Sequence, residues 1–325
     1  MTKCRMVVFS KPNHAEIREY SMPALEPDEL LIRTACSGVS AGTERAFFQG
    51  EFVGNKTNYP FISGYQLAGI VEDLGRSVSG FHPGEKVFTT GSTCLKKSGL
   101  TGMGGHASHV TQPVQKVYKL PQDIDLASAS QATLAGIGIY ALEMAGVGED
   151  DRVVVFGLGL LGQMAGQFAR SLGAQVIGID ARQTRLDKAL ECGFTAVFHR
   201  NDEALMDNVL ALWPEKGTVG LETTGLPEVV SMAGDFLTHR GRLVFDAAYP
   251  GTYEVSLDRW HWNEVVIYNA NGEACYEKAI DAIAAGRVDP RPLISHRVPY
   301  TEAPRLFDML VDRDSEHLGI VFDWQ

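Results

Sequence analysis

The 325-residue sequence is poor in the features that mark secreted, membrane-spanning and nucleic-acid-binding proteins. Its five cysteines are scattered and odd in number, as in a cytoplasmic protein with reduced thiols rather than one held by disulfides. No apolar run approaches the roughly 18 residues of a membrane span, and the N-terminus lacks a signal-peptide core. A net charge of -11 leaves no basic surplus to neutralise phosphates. We therefore expect a cytoplasmic protein with neither a membrane nor a nucleic-acid partner.

The order of strand and helix patterns divides the sequence into two regions of different character. Residues 1 to about 125 form short strand-like runs separated by proline, glycine and acidic turns, which is typical of a β-rich domain. From Leu126 onward strands and helices alternate, with a helix over Pro227 to Leu237 and a last strand over Val265 to Tyr268. This alternation predicts a parallel, doubly wound α/β sheet. The length agrees with about two domains.

One stretch of the second region, Asp151 to Asp180, carries a dinucleotide-binding pattern. An apolar, β-branched run leads directly into three glycines with the spacing GxGxxG, namely Gly157, Gly159 and Gly162. A helical periodicity follows from Leu160 to Leu172, and a second buried strand then ends at Asp180. The pattern predicts a tight turn, close approach of the backbone to a pyrophosphate, and close packing of the helix on the strand.

The residues around this turn predict which cofactor binds. The helix N-terminus, at Leu160 and Leu161, offers free N–H groups and a positive dipole end to the phosphates. Asp180 can accept hydrogen bonds from an adenosine ribose and would repel a 2′-phosphate, so the sequence favours NAD. Arg182 could accommodate a 2′-phosphate, which keeps NADP possible, and Arg185 is placed with it among the cofactor-binding residues.

Five short motifs are spread along the chain: SGYQLAGIVEDLG, FHPGEKVF, GLGLLG with its later Asp180, LETTG and RGRLVF. Together they resemble the medium-chain dehydrogenase/reductase superfamily, and the resemblance covers essentially the whole chain. It implies a β-rich, GroES-like catalytic domain in residues 1–128 and a Rossmann dinucleotide-binding domain in residues 129–270. Residues 271–325 would return to complete the catalytic domain. The active site is then expected where the nicotinamide meets that domain.

The zinc-ligand motifs of that superfamily's alcohol dehydrogenases are altered here. The segment that holds their first ligand, a cysteine, reads SAGTE, with Ser40 or Ala41 at the place of the cysteine. Their histidine motif reads Gly64-Tyr65-Gln66, and Leu134 and Ala135, near the expected third ligand, offer no donor. Because catalytic zinc needs three good ligands, we expect no bound metal.

Other candidate ligands and titratable residues have ordinary interpretations. The structural zinc lobe of those enzymes is missing, since Cys94 is the one cysteine of that region. A metal on His106 and His109 is conceivable, but surface or cleft histidines are favoured. Glu44 could orient Arg45, although a structural ion pair within its domain is favoured.

Four shorter motifs, SGVSAGTER, GYQ, ISHR and a terminal DWQ, are most similar to one zinc-free group of the superfamily. That group contains 3-hydroxyethyl bacteriochlorophyllide dehydrogenase and dehydrogenases of sugars and cyclitols. The resemblance implies NAD-dependent interconversion of a secondary alcohol and its ketone, with a small-molecule substrate. Two alternatives stay open: a zinc-free quinone or enoyl reductase, and a catalytically silent nucleotide-binding protein. Asp180 argues against the reductases, which usually prefer NADPH.

Without zinc, the substrate oxygen must be polarised by side-chain donors in a dry cleft. The candidates are Tyr65, Ser40, Thr43 and His106. Tyr65 stands at a former ligand position and could donate a hydrogen bond or act as a general acid, or it could merely fill the vacated volume. Ser40 or Thr43 could relay a proton, or could instead cap a helix over Thr43 to Gln49. His106 could contact substrate, although a solvated loop histidine is favoured.

An aromatic cluster and a sheet edge predict how the chain associates. Trp260, His261 and Trp262 could line a substrate pocket, but packing at a subunit interface is favoured because aromatic residues are enriched there. The strand over Val265 to Tyr268 would be an exposed edge that can pair with another strand. The resemblance implies a homodimer joined at this edge.

Overall fold

The chain folds into two compact units, which a computed structural model describes over residues 3–94, 100–312 and 315–325. The first unit combines Met1–Thr133 with Ile294–Gln325, and the second is Leu134–Leu293. Within the described ranges, no helix is both long and apolar enough to cross a membrane. The β-rich module and the strand–helix alternation expected from the sequence therefore correspond to two separate bodies.

The first unit is built from β-sheets, as its short strand-like runs predict; most strand pairs are antiparallel, and the pairs β6–β9 and β18–β19 are parallel. The described strands form a four-stranded sheet in the order β2-β1-β6-β9, and a larger sheet in the order β11-β8-β7-β3-β19-β18 with β10 also paired to β3. A short helix, α1, spans Ala41–Gln49 and directly follows β3. The strands are β1 Lys3–Lys11, β2 His14–Ser21, β3 Glu29–Val39, β4 Glu51–Phe52, β5 Asn55–Lys56, β6 Phe61–Ile62, β7 Leu67–Leu74, β8 Lys86–Thr89, β9 Thr101–Gly102, β10 His109–Pro113, β11 Val117–Lys119, β18 Ile294–Pro299 and β19 Gly319–Asp323.

An aromatic core joins the two ends of the chain within the first unit. The ring of Phe9 in β1 meets Phe307 edge-on, with 4.7 Å between ring centroids. Phe307 lies on the helix Ala303–Val311 and is close to Phe322 of β19. Phe322 in turn contacts the imidazole of His106 edge-on at 4.9 Å. Burial of these rings stabilises the pairing of the late strand β19 with β3. The candidate site residues Ser40 and Thr43 follow directly after β3.

The second unit is a parallel, doubly wound sheet. Its described strands lie in the order β14-β13-β12-β15-β16-β17, and every neighbouring pair is parallel. The strands are β12 Arg152–Phe156, β13 Gln175–Asp180, β14 Ala196–His199, β15 Gly217–Glu222, β16 Leu237–Phe245 and β17 Val266–Asn269. The other helices, in chain order, are α2 Leu126–Ala129 of the first unit, α3 Ala132–Met144, α4 Leu160–Ser171, α5 Gln183–Glu191, α6 Leu205–Leu212, α7 Pro227–Ala233, α8 Leu257–Trp262, α9 Tyr276–Ala284 and, again in the first unit, α10 Ala303–Val311.

Two boundaries differ from the sequence-based ones. Helix α7 ends at Ala233, because Leu237 is buried and pairs with Gly217 as the first residue of β16. The chain returns to the first unit at Ile294, whereas residue 271 was expected. Contacts within the second unit hold the intervening residues: the N–H of Cys275 donates to the carbonyl of Gly136 at 3.2 Å.

Candidate functional site

The glycine turn of the second unit has the backbone geometry that its spacing predicts. Gly157 has φ of +93°, a conformation that residues with a side chain rarely adopt. A Cβ on Gly162 would lie 2.0 Å from the carbonyl oxygen of Gly157, so only glycine lets helix α4 approach this closely. A Cβ on Gly159 would meet no described atom within 4 Å. The space above Gly159 is therefore open to a ligand, while the other two glycines are required by the fold.

The helix that follows presents its N-terminus at this turn. Gly159 is the N-cap of α4, and the first intrahelical bond runs from the N–H of Gln163 to the carbonyl of Gly159 at 2.9 Å. Leu160 is buried and Leu161 half-buried in the first turn, where backbone N–H groups have no intrahelical acceptor. Such a helix end attracts phosphate groups through those donors and the helix dipole. The turn and the helix start together fit a pyrophosphate.

Asp180, at the carboxyl end of β13, is tied into the same turn. Its Oδ2 accepts a hydrogen bond from the N–H of Leu158 at 2.7 Å, and its Oδ1 accepts one from the N–H of Arg182 at 2.9 Å. Nη1 of Arg185 lies 3.7 Å from Oδ2. Each carboxylate oxygen can accept a second hydrogen bond, so the acid both supports the glycine turn and keeps acceptor capacity for a ribose.

Two buried acids at the carboxyl ends of β15 and β16 were not singled out from the sequence. Glu222 ends β15, and its carboxylate accepts hydrogen bonds from the N–H of Thr224 at 2.8 Å and from the hydroxyl of Tyr249 at 2.6 Å. Asp246 directly follows β16 and is only 4% exposed. Its Oδ2 has no hydrogen-bond partner among the described residues. Burial, and then repulsion from Glu222, raise the pKa of Asp246 to about 7.

The first unit contains a buried polar cluster formed by Ser37, Glu44, His106 and Trp324. Nδ1 of His106 lies 2.8 Å from the hydroxyl of Ser37, which also accepts a hydrogen bond from Nε1 of Trp324 at 2.8 Å. Nε2 of His106 lies 2.9 Å from Oε2 of Glu44, a close contact that does not have hydrogen-bond geometry. The other oxygen of Glu44 accepts from the N–H of Ser40 at 2.9 Å. We call these four residues the polar cluster.

His106 is fully buried, so the favoured interpretation of it as a solvated loop residue is wrong. Its neighbouring glycines serve packing: a Cβ on Gly64 would lie 2.4 Å from the N–H nitrogen of His106, and a Cβ on Gly105 would lie 2.7 Å from Gly64. The side chain that faces Glu44 within its own unit is His106. His109 contacts a different acid, Glu72, at 3.2 Å, so the two histidines face different partners.

Ser40 and Thr43 occupy different positions of helix α1 from those that the sequence suggested. The helix begins at Ala41, with Ser40 as its N-cap, so the proposed capping role of Thr43 is wrong. Within the described chain the hydroxyl of Ser40 makes no capping hydrogen bond. The carboxylate of Glu44 instead accepts the backbone N–H of Ser40. Thr43 is half-buried in the first turn.

Tyr65 lies where the sequence resemblance places the histidine ligand of a metal, and Gln66 follows it in the same motif. Tyr65 is half-buried, whereas Gln66 is fully buried, and its Nε2 donates to Oε1 of Gln131 at 3.2 Å. Gln131 continues this chain of amides to the carbonyl of Ile320 at 3.3 Å. No group of three histidine, cysteine or acidic side chains in the described ranges could hold a metal ion. These residues therefore do not fit a catalytic zinc.

The predicted edge strand and aromatic cluster are exposed only in part. β17 is the edge of the parallel sheet, and its Val266 and Ile267 are both more than two-fifths exposed. Trp262, at the end of α8, is 75% exposed. Trp260 instead is buried and packs on Gly234, so it belongs to the core of its own unit rather than to a surface cluster.

Comparisons with known proteins agree with this architecture. Residues 26–122 match the family described as alcohol dehydrogenase GroES-like domain, and residues 161–285 match the family described as zinc-binding dehydrogenase. An L-threonine 3-dehydrogenase from Anaeromyxobacter sp. (strain Fw109-5) is 26% identical, over 95% of this chain and 95% of its own. The two matched segments together span more than half of the sequence.

Solved structures share the fold over nearly the full length. A zinc-binding dehydrogenase from Sinorhizobium meliloti 1021, bound to NADP, superposes with a TM-score of 0.88 at 21% identity, over 99% of this chain and 100% of its own. An alcohol dehydrogenase from Escherichia coli CFT073, complexed with NADH, superposes with a TM-score of 0.86 at 19% identity, with the same coverage. At these identities the likeness establishes the fold alone.

Proposed function

Because the chain belongs to the medium-chain dehydrogenase/reductase superfamily, we propose that it is a zinc-independent, NAD(P)-dependent oxidoreductase. Its reaction would interconvert a secondary alcohol, such as a sugar, a cyclitol or a bulky metabolite, and the corresponding ketone. The observation that carries this proposal is an intact dinucleotide turn together with altered metal-ligand positions, which hold Ser40 or Ala41, Tyr65, and Leu134 or Ala135. NAD is the expected cofactor, and NADP is the alternative.

The second unit would hold the cofactor, which supplies or accepts the hydride. The turn at Gly157 and Gly159 and the N-terminus of α4 would bind the pyrophosphate. The carboxylate of Asp180 would accept hydrogen bonds from the adenosine ribose, which favours NAD. Arg182 and Arg185 flank that carboxylate and are the residues that would accommodate a 2′-phosphate if NADP binds.

The first unit would polarise the substrate oxygen through hydroxyl groups. Tyr65 is half-exposed and stands at the position of the histidine ligand, so its phenol is our candidate hydrogen-bond donor to that oxygen. The hydroxyl of Ser40 is not used for capping, and Thr43 follows one turn later, so either can pass a proton onward. His106 is too deeply buried to touch substrate, and we propose that it positions Glu44 and, through it, the backbone at Ser40.

Metal analysis combined with cofactor titration tests this proposal. We expect no stoichiometric zinc in the purified protein, unchanged turnover after chelation, and tighter binding of NAD than of NADP. Turnover should occur with polyols or ketones and not with quinones or enones. A stoichiometric, turnover-dependent zinc would overturn the zinc-independent mechanism. Reduction of enones alone would favour the reductase alternative, and tight binding without hydride transfer to any substrate would favour a silent nucleotide-binding protein.

A pair of glycine variants tests the dinucleotide site separately. A Cβ at Gly159 and a Cβ at Gly148 would each meet no described atom within 4 Å, so Gly159→Val and Gly148→Val should both fold. Gly159 lies at the carboxyl end of β12 and Gly148 before its amino end. We expect Gly159→Val to weaken dinucleotide binding by about 100-fold, or about 2.7 kcal/mol, and Gly148→Val to leave it unchanged. Equal affinities in the two variants would place the cofactor elsewhere.

We also propose a homodimer joined through the edge strand β17. Its exposed Val266 and Ile267, with Leu257 and Trp262 of α8, offer apolar surface beside unpaired backbone groups. Light scattering should give about twice the mass of one chain, and Ile267→Lys should give a monomer. A monomeric wild-type protein, or a dimer that Ile267→Lys does not affect, would overturn this arrangement.

A further inference from the structure

The second unit carries a negative charge at its nicotinamide end that the proposed reaction does not itself require. We propose that the carboxylate of Asp246, with Glu222 beside it, makes this site bind the oxidised cofactor, whose nicotinamide ring is positively charged, in preference to the reduced cofactor, whose ring is neutral. The inference deepens the proposed function and rests on it. Asp246 would act as a residue that selects the redox state of the cofactor.

The topology of the sheet places both acids on the nicotinamide side. In a doubly wound sheet the dinucleotide crosses the carboxyl ends of the strands, with its pyrophosphate at the glycine turn. Asp180 on β13 lies on one side of β12 and marks the adenosine half. β15 and β16 lie on the other side of β12, so Glu222 and Asp246, at their carboxyl ends, belong to the nicotinamide half.

Thr223, the residue after Glu222, connects these acids to the glycine turn. The hydroxyl of Thr223 donates to the carbonyl of Gly157 at 2.9 Å. Glu222 precedes Thr223 and accepts the N–H groups of both Thr224 and Gly225. The N–H of Asp246 donates to the carbonyl of Glu222 at 2.8 Å. The two acids are therefore part of the wall beside the turn rather than a remote surface cluster.

The two carboxylates differ in the hydrogen bonds that they accept. Glu222 accepts hydrogen bonds from backbone N–H groups and from the hydroxyls of Thr224 and Tyr249. Oδ2 of Asp246 is buried and accepts none within the described ranges. The charged group that acts on Asp246 is Glu222, which is another acid. A buried carboxylate oxygen without a hydrogen-bond partner is unfavourable, and a bound cation would relieve that penalty.

Proton linkage gives this preference a characteristic pH dependence. The groups facing Asp246 are Glu222 and Tyr249, and the pKa of Tyr249 is raised by burial and by Glu222, so its phenol stays neutral. A positive ring beside Asp246 lowers the pKa of that acid, and NAD⁺ binding below about pH 7 therefore releases its proton to solvent. NADH, with a neutral ring, releases none. Affinity for NAD⁺ should then rise with pH through about 7, and affinity for NADH should not.

The test measures dissociation constants of NAD⁺ and NADH for the full chain, by calorimetry and by cofactor fluorescence, at about pH 8, where Asp246 is ionised. Asp246→Asn removes the charge with almost no change of shape. Asp150→Asn is the matched control, because Asp150 is exposed and precedes β12 at the opposite edge of the sheet. We expect Asp246→Asn to weaken NAD⁺ binding about tenfold and to change NADH binding less than about twofold. The control should change neither.

The outcomes separate the inference from the proposed function. If Asp246→Asn weakens both forms equally, the residue recognises a part that they share, and the redox preference is overturned. Unchanged affinities of the variant for both forms would also overturn it. So would a wild-type NAD⁺ affinity that is flat across pH 7, and this second measurement does not depend on how well the variant folds. If neither dinucleotide binds the wild-type protein, the proposed function itself fails.

Discussion

Two buried acids, Glu44 in the first unit and Asp246 in the second, lie at similar depth but in opposite surroundings. Glu44 faces the imidazole of His106 and accepts the backbone N–H of Ser40. Asp246 faces another acid, and its Oδ2 has no hydrogen-bond partner in the described part of the chain. The first arrangement gives the carboxylate a backbone donor and an imidazole neighbour, whereas the second places two acids side by side. A buried acid without such partners is the better indicator of a ligand.

The largest expected effect comes from removing the partner of Glu44. His106→Ala leaves a buried carboxylate beside a cavity, so it should lower the free energy of unfolding by about 3–5 kcal/mol. Chemical denaturation would measure this. The control is His109→Ala, because His109 pairs with the half-exposed Glu72 and should lose no more than about 1 kcal/mol. Equal losses in the two variants would mean that the polar cluster has no special role in stability.

Asp246→Asn should raise the free energy of unfolding, by slightly less than His106→Ala lowers it. The pKa of Asp246 in the folded protein, about 7, lies above its ordinary value of 3.8. Wild-type stability should therefore fall as pH rises from about 4 to 7, and the variant should not show this fall. The variant should gain up to about 4 kcal/mol over wild type at about pH 8 and nothing near pH 4. Denaturation of the cofactor-free proteins at both pH values would measure this, and a destabilised variant at the higher pH would contradict it.

Tyr249→Phe should show how much the hydrogen bond from Tyr249 to Glu222 contributes to stability. The lost hydroxyl donates to the carboxylate of Glu222 at 2.6 Å, and hydrogen bonds to charged groups are the stronger kind. We expect a loss of about 1.5 kcal/mol in thermal or chemical unfolding. In the control, Tyr253→Phe, the lost hydroxyl donates to the neutral carbonyl of Gly225 at 2.8 Å, so the loss should be about half as large. A larger loss for Tyr253→Phe would contradict the ranking.

The smallest expected effect is that of Ser40→Ala. A serine N-cap replaced by alanine usually loses about 1 kcal/mol, but the hydroxyl of Ser40 makes no capping bond in the described structure. The carboxylate of Glu44 accepts the backbone N–H of residue 40 in the wild type, and the same bond can form in the variant. The free energy of unfolding should therefore change by less than about 0.5 kcal/mol. A loss near 1 kcal/mol in denaturation would show that the hydroxyl does cap the helix.

The dinucleotide turn could be predicted because its requirements are local. Gly157, Gly159 and Gly162 act through their own backbone conformation and their immediate neighbours, and these are fixed by spacing along the chain. The hydrogen bond from Leu158 to Asp180 could not be predicted in the same way. It joins two strand ends 22 positions apart, and only the sheet brings them together.

The polar cluster could not be predicted, because its members come from distant parts of the chain. Ser37 and Trp324 are 287 positions apart and meet only when β19 pairs with β3. The sequence also suggested the wrong surroundings for His106, which was interpreted as a solvated loop residue. Gly105 in fact permits close packing against Gly64, and that packing buries the histidine.

The acids at the ends of β15 and β16 did leave a signal in the sequence. Glu222 and Asp246 each stand at the carboxyl end of a predicted parallel strand, in the LETTG motif and directly after RGRLVF. Adjacent parallel strands bring such ends together at the ligand-binding edge of the sheet. Their proximity could have been inferred, but the missing partner of Asp246 could not, because that depends on every side chain packed around it.

The discontinuous first unit has a consequence for synthesis on the ribosome. Residues of the second unit, Leu134–Leu293, have all been synthesised before Trp324 is added, so that unit does not need the last residues of the chain in order to fold. Ser37 and His106, made early, must wait for the indole that completes their contacts. The nascent chain thus exposes part of its earliest-made module the longest, and chaperones would be expected to engage that part first.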